Sequence, residues 1–357
     1  MKKRIGLLYG GKSAEHEVSL STAKAVTQAL DFSEFEVFPI FITLNGEWRV
    51  GPQLIEAAQS IEQLQFTATS EQSANNIMQF VTAHMENPFD VIFPLLHGTN
   101  GEDGTVQGFL EVLNIPYVGN SVLSSAAGMD KVTMKQLFEM ADLPQVPYVH
   151  FIRSEWEKSK QNYIAKCEEA LGYPMFVKPA NLGSSVGISK ASNATELEKA
   201  VAFALQYDRK IVVEQGIVAR EIELAVLGND DPNVSVAGEI KPMTEFYDYD
   251  SKYKDGSTAL IIPAPLEEQV YVDLVEMAKK AFKSIDGAGL VRADFFVTAN
   301  NEIFINEVNT MPGFTPVSMY PLLWQHTNLS YPELIKKLIA LAVERFTEKQ
   351  QLQYNRD

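Results

Sequence analysis

The chain carries one cysteine, Cys167, in 357 residues. An internal disulfide framework is excluded, and such usage fits a reducing compartment, so a cytoplasmic protein is expected. Cys167 itself reads as a helix-packing residue. Histidine is scarce as well, at positions 16, 84, 97, 150 and 326, and those separations do not match a zinc site. Basic charge is in deficit: 30 Lys and Arg face 46 Asp and Glu, a formal net charge of −16. Nucleic acid and anionic membranes both select basic surfaces, so neither is an expected partner. No run of about 18 apolar residues exists, which argues against membrane insertion. The opening MKKRIGLLYGGKS is basic and then apolar, but its apolar run is too short for a secretory signal. Internal repeats and low-complexity tracts are lacking too.

What is present is an ordinary globular composition, 46% hydrophobic and 21% charged, long enough for two or three domains. Residues 4–9 predict a strand and 17–30 a helix with Val18, Thr22, Ala25 and Ala29 on one stripe. A strand is expected over 36–43, then a polar region over 51–76. DVIFPLL, residues 90–96, is the continuous apolar run of a strand buried on both faces of a parallel sheet. This strand–helix order predicts an open α/β domain to about residue 120. Helices are then expected near 130–141 and 195–206, with strands at 175–178, 186–190, 210–214, 221–228 and 234–240. FYDYDSKYKDGST, residues 246–258, reads as a long loop. A helix at 267–285, strands at 289–297 and 302–309, and helices near 318–325 and 331–347 complete the pattern.

GLLYGGKS, residues 6–13, matches the P-loop pattern G-x-x-x-x-G-K-[ST]. A working P-loop needs a free loop between strand and helix. Here Arg4–Tyr9 is itself the strand, and the turn from Gly10 to about Glu15 is too short to wrap a phosphate. The match is read as coincidence, although a helix N-terminus at that turn attracts anions.

Four other stretches carry chemistry. RADFFVTANNEIFINEVN, residues 292–309, reads as a hairpin turning at Ala299-Asn-Asn301. Pairing 292 with 309 and 294 with 307 brings Arg292, Asp294, Glu307 and Asn309 onto one patch. Two carboxylates and an amide oxygen suit a hard divalent cation, which would bring phosphates with it; the competing reading is a solvated face of cross-strand pairs. In VKPANLGSSVGISK, residues 177–190, Lys178 ends a strand, and Gly183-Ser-Ser-Val-Gly187 forms a donor-rich flap able to cover phosphate. A plain hairpin turn uses the same residue types. Glu214 and Glu221 offer carboxylates for ribose near backbone that could meet adenine. His97-Gly-Thr-Asn-Gly-Glu-Asp-Gly104 follows strand 90–96, where open α/β sheets bind ligands. Glu15 shares that crevice if the strands are parallel.

Together, Lys178-Pro, Gly183-Ser-Ser-Val-Gly187, Val213-Glu214, Arg292-x-Asp294 and Asn306-Glu-Val-Asn309-Thr-x-Pro-Gly313 resemble the ATP-grasp superfamily. Within it, Gly10-Gly-Lys-Ser-Ala-Glu15-His-Glu-Val-Ser19, His97 to Gly104, Met129-Asp-Lys131 and Phe246-Tyr-Asp-Tyr-x-x-Lys252-Tyr253 are similar to D-alanine–D-alanine ligases, over about residues 4–345. The resemblance implies an α/β protein with the ATP-grasp fold: an N-terminal Rossmann-like open sheet over 1–121, a central lobe over 122–213, and a C-terminal lobe over 214–357 with 246–258 as a lid. Lys131 and Lys178 would touch ATP phosphates, and Ser184, Ser185 and Val186 would cover them. Glu214 and Ile217 would meet adenine, Glu221 the ribose, and Asn306 would join the nucleotide site. Asp294, Glu307 and Asn309 would bind two Mg²⁺ or Mn²⁺. Glu15 would hold the amine of the first D-alanine, with His97 nearby. Arg292 and the Gly313 amide would stabilise an oxyanion, and Ser318 would receive the second D-alanine's carboxylate. Lys252 would neutralise the transferred phosphate, and Tyr253 would bridge to Ser184. Gln215 stands where many relatives carry lysine.

The implied reaction joins two D-alanines through an acyl phosphate, at the cost of ATP, for peptidoglycan precursor synthesis. Its partners are small molecules, and a homodimer is compatible with it. The rivals are a D-alanine–D-lactate ligase, a P-loop NTPase and a non-catalytic nucleotide-binding module. Depsipeptide relatives place a histidine where this chain has Tyr253, and no histidine lies between His150 and His326. If ATP does not sit at GLLYGGKS, Lys12→Ala leaves nucleotide affinity essentially unchanged in a calorimetric titration. Loss of nucleotide binding in that variant would restore the P-loop reading.

Overall fold

The computed structural model describes residues 2–13, 15–67, 77–241 and 259–353. The N-terminal part runs β1 (Lys3–Gly10), α1 (His16–Ala29), β2 (Phe35–Ile42), β3 (Trp48–Val50), α2 (Ile77–Glu86), β4 (Val91–Pro94) and α3 (Thr105–Val112). Its sheet has the order β3-β2-β1-β4. β1 lies parallel to both β2 and β4, and β3 closes the edge antiparallel. Side chains of β1 alternate between two cores. Ile5, Leu7 and Tyr9 pack with Leu20, Ala23 and Val26 of α1, while Leu8 packs with Phe80 of α2 and Leu110 of α3. Burial on both faces explains the unbroken apolar runs of β1 and β4.

The central part holds α4 (Val122–Met129), α5 (Lys131–Met140), β5 (Tyr148–Ile152), α6 (Arg153–Leu171), β6 (Met175–Pro179), β7 (Ser189–Ala191), α7 (Ala194–Ala204) and β8 (Lys210–Gln215). Its antiparallel sheet has the order β5-β8-β6-β7. One face packs on α6 and α7 through Phe151, Val177, Val213, Ile164, Cys167 and Leu197. Cys167 is buried there, as a packing residue. On the other face Tyr148, Val212 and Ala180 meet Val132 of α5. β7 starts three residues later than the expected 186–190, because Ser184, Ser185 and Gly187 have φ of +52°, +58° and +77°. Left-handed residues cannot continue a strand.

The C-terminal part holds β9 (Arg220–Gly228), β10 (Asn233–Lys241), β11 (Ala259–Ile261), α8 (Glu268–Ser284), β12 (Gly289–Val297), β13 (Ile303–Asn309), α9 (Met319–Gln325) and α10 (Tyr331–Gln350). Its sheet has the order β11-β10-β9-β12-β13. α8 covers one face through Leu274, Ala278 and Phe282. α9 and α10 turn back, so that Tyr320, Leu323, Leu334 and Leu338 join the core beneath β1 and β4. First and last segments thus share one apolar core. Among the described residues, no helix is long and apolar enough to cross a membrane.

Asn120 ties the N-terminal sheet to the last one. Its amide nitrogen donates to the Leu290 and Thr310 carbonyls at 2.6 and 2.9 Å, and its oxygen accepts from Ala288 N at 2.9 Å. All three bonds are buried. Removing the side chain leaves buried backbone groups unpaired, each costing about 1–3 kcal/mol. Asn120→Ala should therefore lower the thermal unfolding midpoint markedly, while an exposed control such as Asn300→Ala should not. Equal midpoints for both would deny Asn120 this role.

Candidate active site

The hairpin of β12 and β13 pairs Arg292 with Asn309 and Asp294 with Glu307, the register its sequence predicts. The register then shifts, and Phe295 pairs with Ile305. Asn306 is the extra residue of a β-bulge, which re-aims side chains. Ile305 and Val308 both enter the core beside α8, while Asn306 and Glu307 are both half-exposed. Simple alternation would have put these two on opposite faces; the bulge leaves both partly exposed.

Arg292 is gripped by carboxylates. Its Nε donates to Asp294 Oδ1 at 2.8 Å and its Nη2 to Asp294 Oδ2 at 2.7 Å. Glu223 Oε2, from the adjacent β9, lies 3.0 Å from Nε. Burial opposes the guanidinium charge, but Asp294 and Glu223 outweigh it and hold Arg292 cationic. Asn309 Nδ2 donates to Asp294 Oδ2 at 2.9 Å. Among the described residues, no cluster of three His, Cys, Asp or Glu is arranged to hold a metal ion. The donors here are two carboxylates and one amide oxygen, a hard set that fits a divalent cation sharing its other ligands with phosphate.

Helix α5 aims two lysines at this region. Asp130 caps it, accepting from Val132 N and Thr133 N at 3.1 and 3.0 Å, and pairs with Lys210 at 2.5 Å. Lys131 and Lys135, four residues apart, share one face of the helix. Lys131 Nζ reaches the Leu182 carbonyl at 2.9 Å and Glu307 Oε2 at 3.3 Å, joining the central and C-terminal sheets. Lys135 meets Glu214 Oε1 at 2.7 Å, and Lys178 meets Glu214 Oε2 at 2.5 Å. Burial would raise the Glu214 pKa, but the two lysines overcome it and bring it down to about 2. Lys178 is likewise disfavoured by burial, yet Glu214, Glu307 and Glu221 raise its pKa. Gln215 turns away, its amide donating to the Leu171 carbonyl at 2.9 Å. Ile217 is half-buried in the link from β8 to β9.

At the N-terminal sheet, parallel β1 and β4 bring Glu15 and His97 to one edge. Gly98, with φ +72°, lies so close to Glu15 that a Cβ there would stand 2.8 Å from Oε2. Ser184 Oγ, 169 residues away in sequence, donates to Glu15 Oε1. His97 is buried and its Nδ1 lies 3.4 Å from Glu102 Oε1. Gly313 and Ser318 also adjoin: a Cβ on Gly313 would stand 3.1 Å from Ser318 Oγ. Ser318 Oγ accepts from Thr315 N at 3.1 Å. The Lys12 side chain is exposed. Gly10 N donates to Ser19 Oγ at 2.8 Å and Gly11 N to the Ile42 carbonyl at 2.8 Å, so these amides are already used and form no phosphate cradle.

Lys252 and Tyr253, with the whole 246–258 loop, lie outside the described residues. Sequence reasoning missed Glu102, Lys135 and Glu223. Glu102 stands inside the quoted His97–Gly104 motif. Glu223 follows Glu221 by the two-residue step of a strand face, and Lys135 follows Lys131 by one helical turn, so periodicity was the available signal.

Burial lowers the His97 pKa, but Glu102 and Glu15 outweigh it, and the net shift is upward. Burial raises that of Glu102. A raised folded value contributes stability that is complete below the unfolded value, about 6.5 for histidine, and is lost as pH rises through the folded value. The stability lost in His97→Gln should thus be larger near pH 6 than near pH 9, read as the gap in unfolding midpoint between variant and wild type. A gap that does not change with pH would show that His97 stays neutral.

Two family profiles match the chain: D-ala D-ala ligase N-terminus over residues 4–120 and D-ala D-ala ligase C-terminus over residues 137–340. The D-alanine--D-alanine ligase of Bacillus licheniformis is 58% identical over 359 aligned residues, covering 99% of each chain. Among solved structures, the D-alanine-D-alanine ligase from Coxiella burnetii is 34% identical with a TM-score of 0.79, covering 98% of this chain and 96% of that one. The VanG D-Ala:D-Ser ligase from Enterococcus faecalis is 33% identical with a TM-score of 0.80, covering 96% of this chain and 100% of that one. With both halves of the sequence matched and the fold shared end to end, this chain belongs to the D-alanine–D-alanine ligase family, within the ATP-grasp fold.

Proposed function

We propose that the protein joins two D-alanines into D-alanyl-D-alanine in the cytoplasm, with ATP cleaved to ADP and phosphate, for peptidoglycan precursor synthesis. The observation that carries this reading is the hydrogen bond from Ser184 to Glu15. It sets the phosphate-covering loop directly on the residue assigned to the amino-acid substrate, as transfer from ATP to a bound carboxylate requires. The lobes proposed for this reaction span 1–121, 122–213 and 214–357, the second boundary falling within β8 (Lys210–Gln215).

A carboxylate is a poor electrophile and must be activated. Glu15 holds the first D-alanine by its ammonium group, with His97 and Glu102 behind it. A carboxylate oxygen attacks the γ-phosphorus of ATP, the bond to ADP breaks, and an acyl phosphate forms. Lys131 and Lys178 counter the charge that spreads over the phosphoryl oxygens. Ser184, Ser185 and Val186 cover the phosphates, while Glu214, Ile217, Glu221 and Asn306 hold the nucleoside. Asp294, Glu307 and Asn309 would hold two Mg²⁺ or Mn²⁺, which supply further neutralisation of phosphate charge.

The second D-alanine, its carboxylate at Ser318, loses an ammonium proton and attacks the acyl carbon. Arg292 and the Gly313 N–H stabilise the tetrahedral oxyanion. The contacts of Arg292 to Asp294 and Glu223 use Nε and Nη2, which leaves Nη1 for the substrate. Phosphate then leaves and the amide forms. Acyl phosphates hydrolyse readily, so water must be kept out, and the 246–258 loop with Lys252 and Tyr253 is proposed as the lid.

Tyrosine is neutral near pH 7, with an unperturbed pKa of about 10, so Tyr253 offers no positive charge to favour a hydroxy acid over an amino acid. Mixed with Mg-ATP and equimolar D-alanine and D-lactate, the protein should release phosphate and form D-alanyl-D-alanine almost exclusively. Turnover should rise from about pH 6 toward pH 9 as the attacking amine deprotonates. Depsipeptide as the main product at pH 6 to 7 would reassign it to the D-lactate ligases, and no phosphate release would make it a binding module.

A further inference from the structure

Lys135 differs from the other cations of the site, Lys131 and Lys178. It is 0% exposed, so its ammonium is shut off from solvent and from any phosphate that arrives from it. It meets Glu214 Oε1 at 2.7 Å and lies 5.3 Å from the centre of the Tyr148 ring. Glu214 is therefore gripped at both oxygens, by Lys135 on one and Lys178 on the other. The two lysines are not equivalent. Lys178 is 8% exposed and also feels Glu307 and Glu221, so it fronts the region where the nucleotide phosphates are proposed. When Lys178 turns to phosphate, Glu214 would, but for Lys135, become a buried carboxylate without a counter-charge, which is strongly unfavourable. Lys135, walled in beside it, has no other ion-pair partner among the described residues and stays.

We propose that Lys135 is a positioning residue that keeps Glu214 an oriented, ionised acceptor, and that this pair selects nucleotides whose base presents an exocyclic amino group. The proposal rests on the reading of Glu214 as the adenine contact. An ionised carboxylate accepts hydrogen bonds and donates none. The 6-amino group of adenine supplies the matching donor. The 6-oxo group of hypoxanthine presents lone pairs to it and is rejected, as buried polar sites reject ligands that leave them unpaired. Without Lys135, Glu214 is free to protonate or rotate once Lys178 is engaged, and the distinction between the two bases weakens.

The test compares ATP with inosine triphosphate in the full-length protein at saturating D-alanine. Lys135→Met keeps side-chain length and removes the charge. Its KM for ATP should rise while kcat/KM for inosine triphosphate changes little, so that the preference for ATP falls by about tenfold or more. Lys135→Arg should restore most of that preference. Loss with both nucleotides in the same proportion would mark a purely structural lysine and overturn the proposal. If Lys135→Met does not fold, Lys135→Met/Glu214→Gln removes both charges of the pair and is compared with Glu214→Gln alone. Equal preferences in those two, both below wild type, support action through Glu214; unequal preferences, or a wild-type preference in either, overturn it. A wild-type protein that forms no dipeptide from ATP and D-alanine would instead remove the ligase reading itself, and this proposal with it.

Discussion

Charge held away from water has to be matched by charge, and the charged residues of the central and C-terminal sheets are organised by that constraint. The effective cost of burying an ion is several kcal/mol even after relaxation. Glu214 is matched by Lys135 and Lys178, and Arg292 by Asp294 and Glu223. Such pairs add little net stability. What they supply is a set of ionised groups fixed in advance, which is the condition for stabilising a charged transition state without reorganisation. Lys131 extends the set from the central to the C-terminal sheet, touching the Leu182 carbonyl and Glu307 of the last hairpin.

Backbone devices put these groups where the charges are needed. The Asp130 cap sets where α5 begins and hence where Lys131 and Lys135 emerge. The bulge at Asn306 turns two adjacent side chains to one face. Gly98 leaves room for the Glu15 carboxylate, and the left-handed pair Ser184 and Ser185 breaks the strand so that Ser184 can reach it. Asn120 and the return of α9 and α10 onto the first core lock the N-terminal sheet to the C-terminal one. Glu15 and His97 thus keep their position relative to the hairpin that carries Arg292.

Regular elements with strong periodicity were legible in the sequence: β1, β4, the β12–β13 hairpin with its register, and α8. Helix α6 was not, because only Trp156, Ile164, Cys167 and Leu171 of its 19 residues are buried, too few to mark a stripe. α2 and α3 were missed as well, being short. The motifs named most of the residues that converge, since a chemical role needs particular side chains at particular spacings along one loop or strand.

The sequence by itself determined which groups are available: the acidic, disulfide-free globular class, the strands with their faces, the ATP-grasp motifs, and the failure of GLLYGGKS as a P-loop. Only the tertiary structure decided which of them meet. Lys135 against Glu214, Glu223 against Arg292, and Ser184 against Glu15 each join residues from different elements. Helical spacing sets Lys135 on the face of Lys131 but does not tell it from a solvated lysine; it becomes part of the site because α5 is packed over the sheet face that carries Glu214. Ionisation follows the same rule, because it depends on how far water is excluded and which counter-charge arrives from elsewhere in the fold.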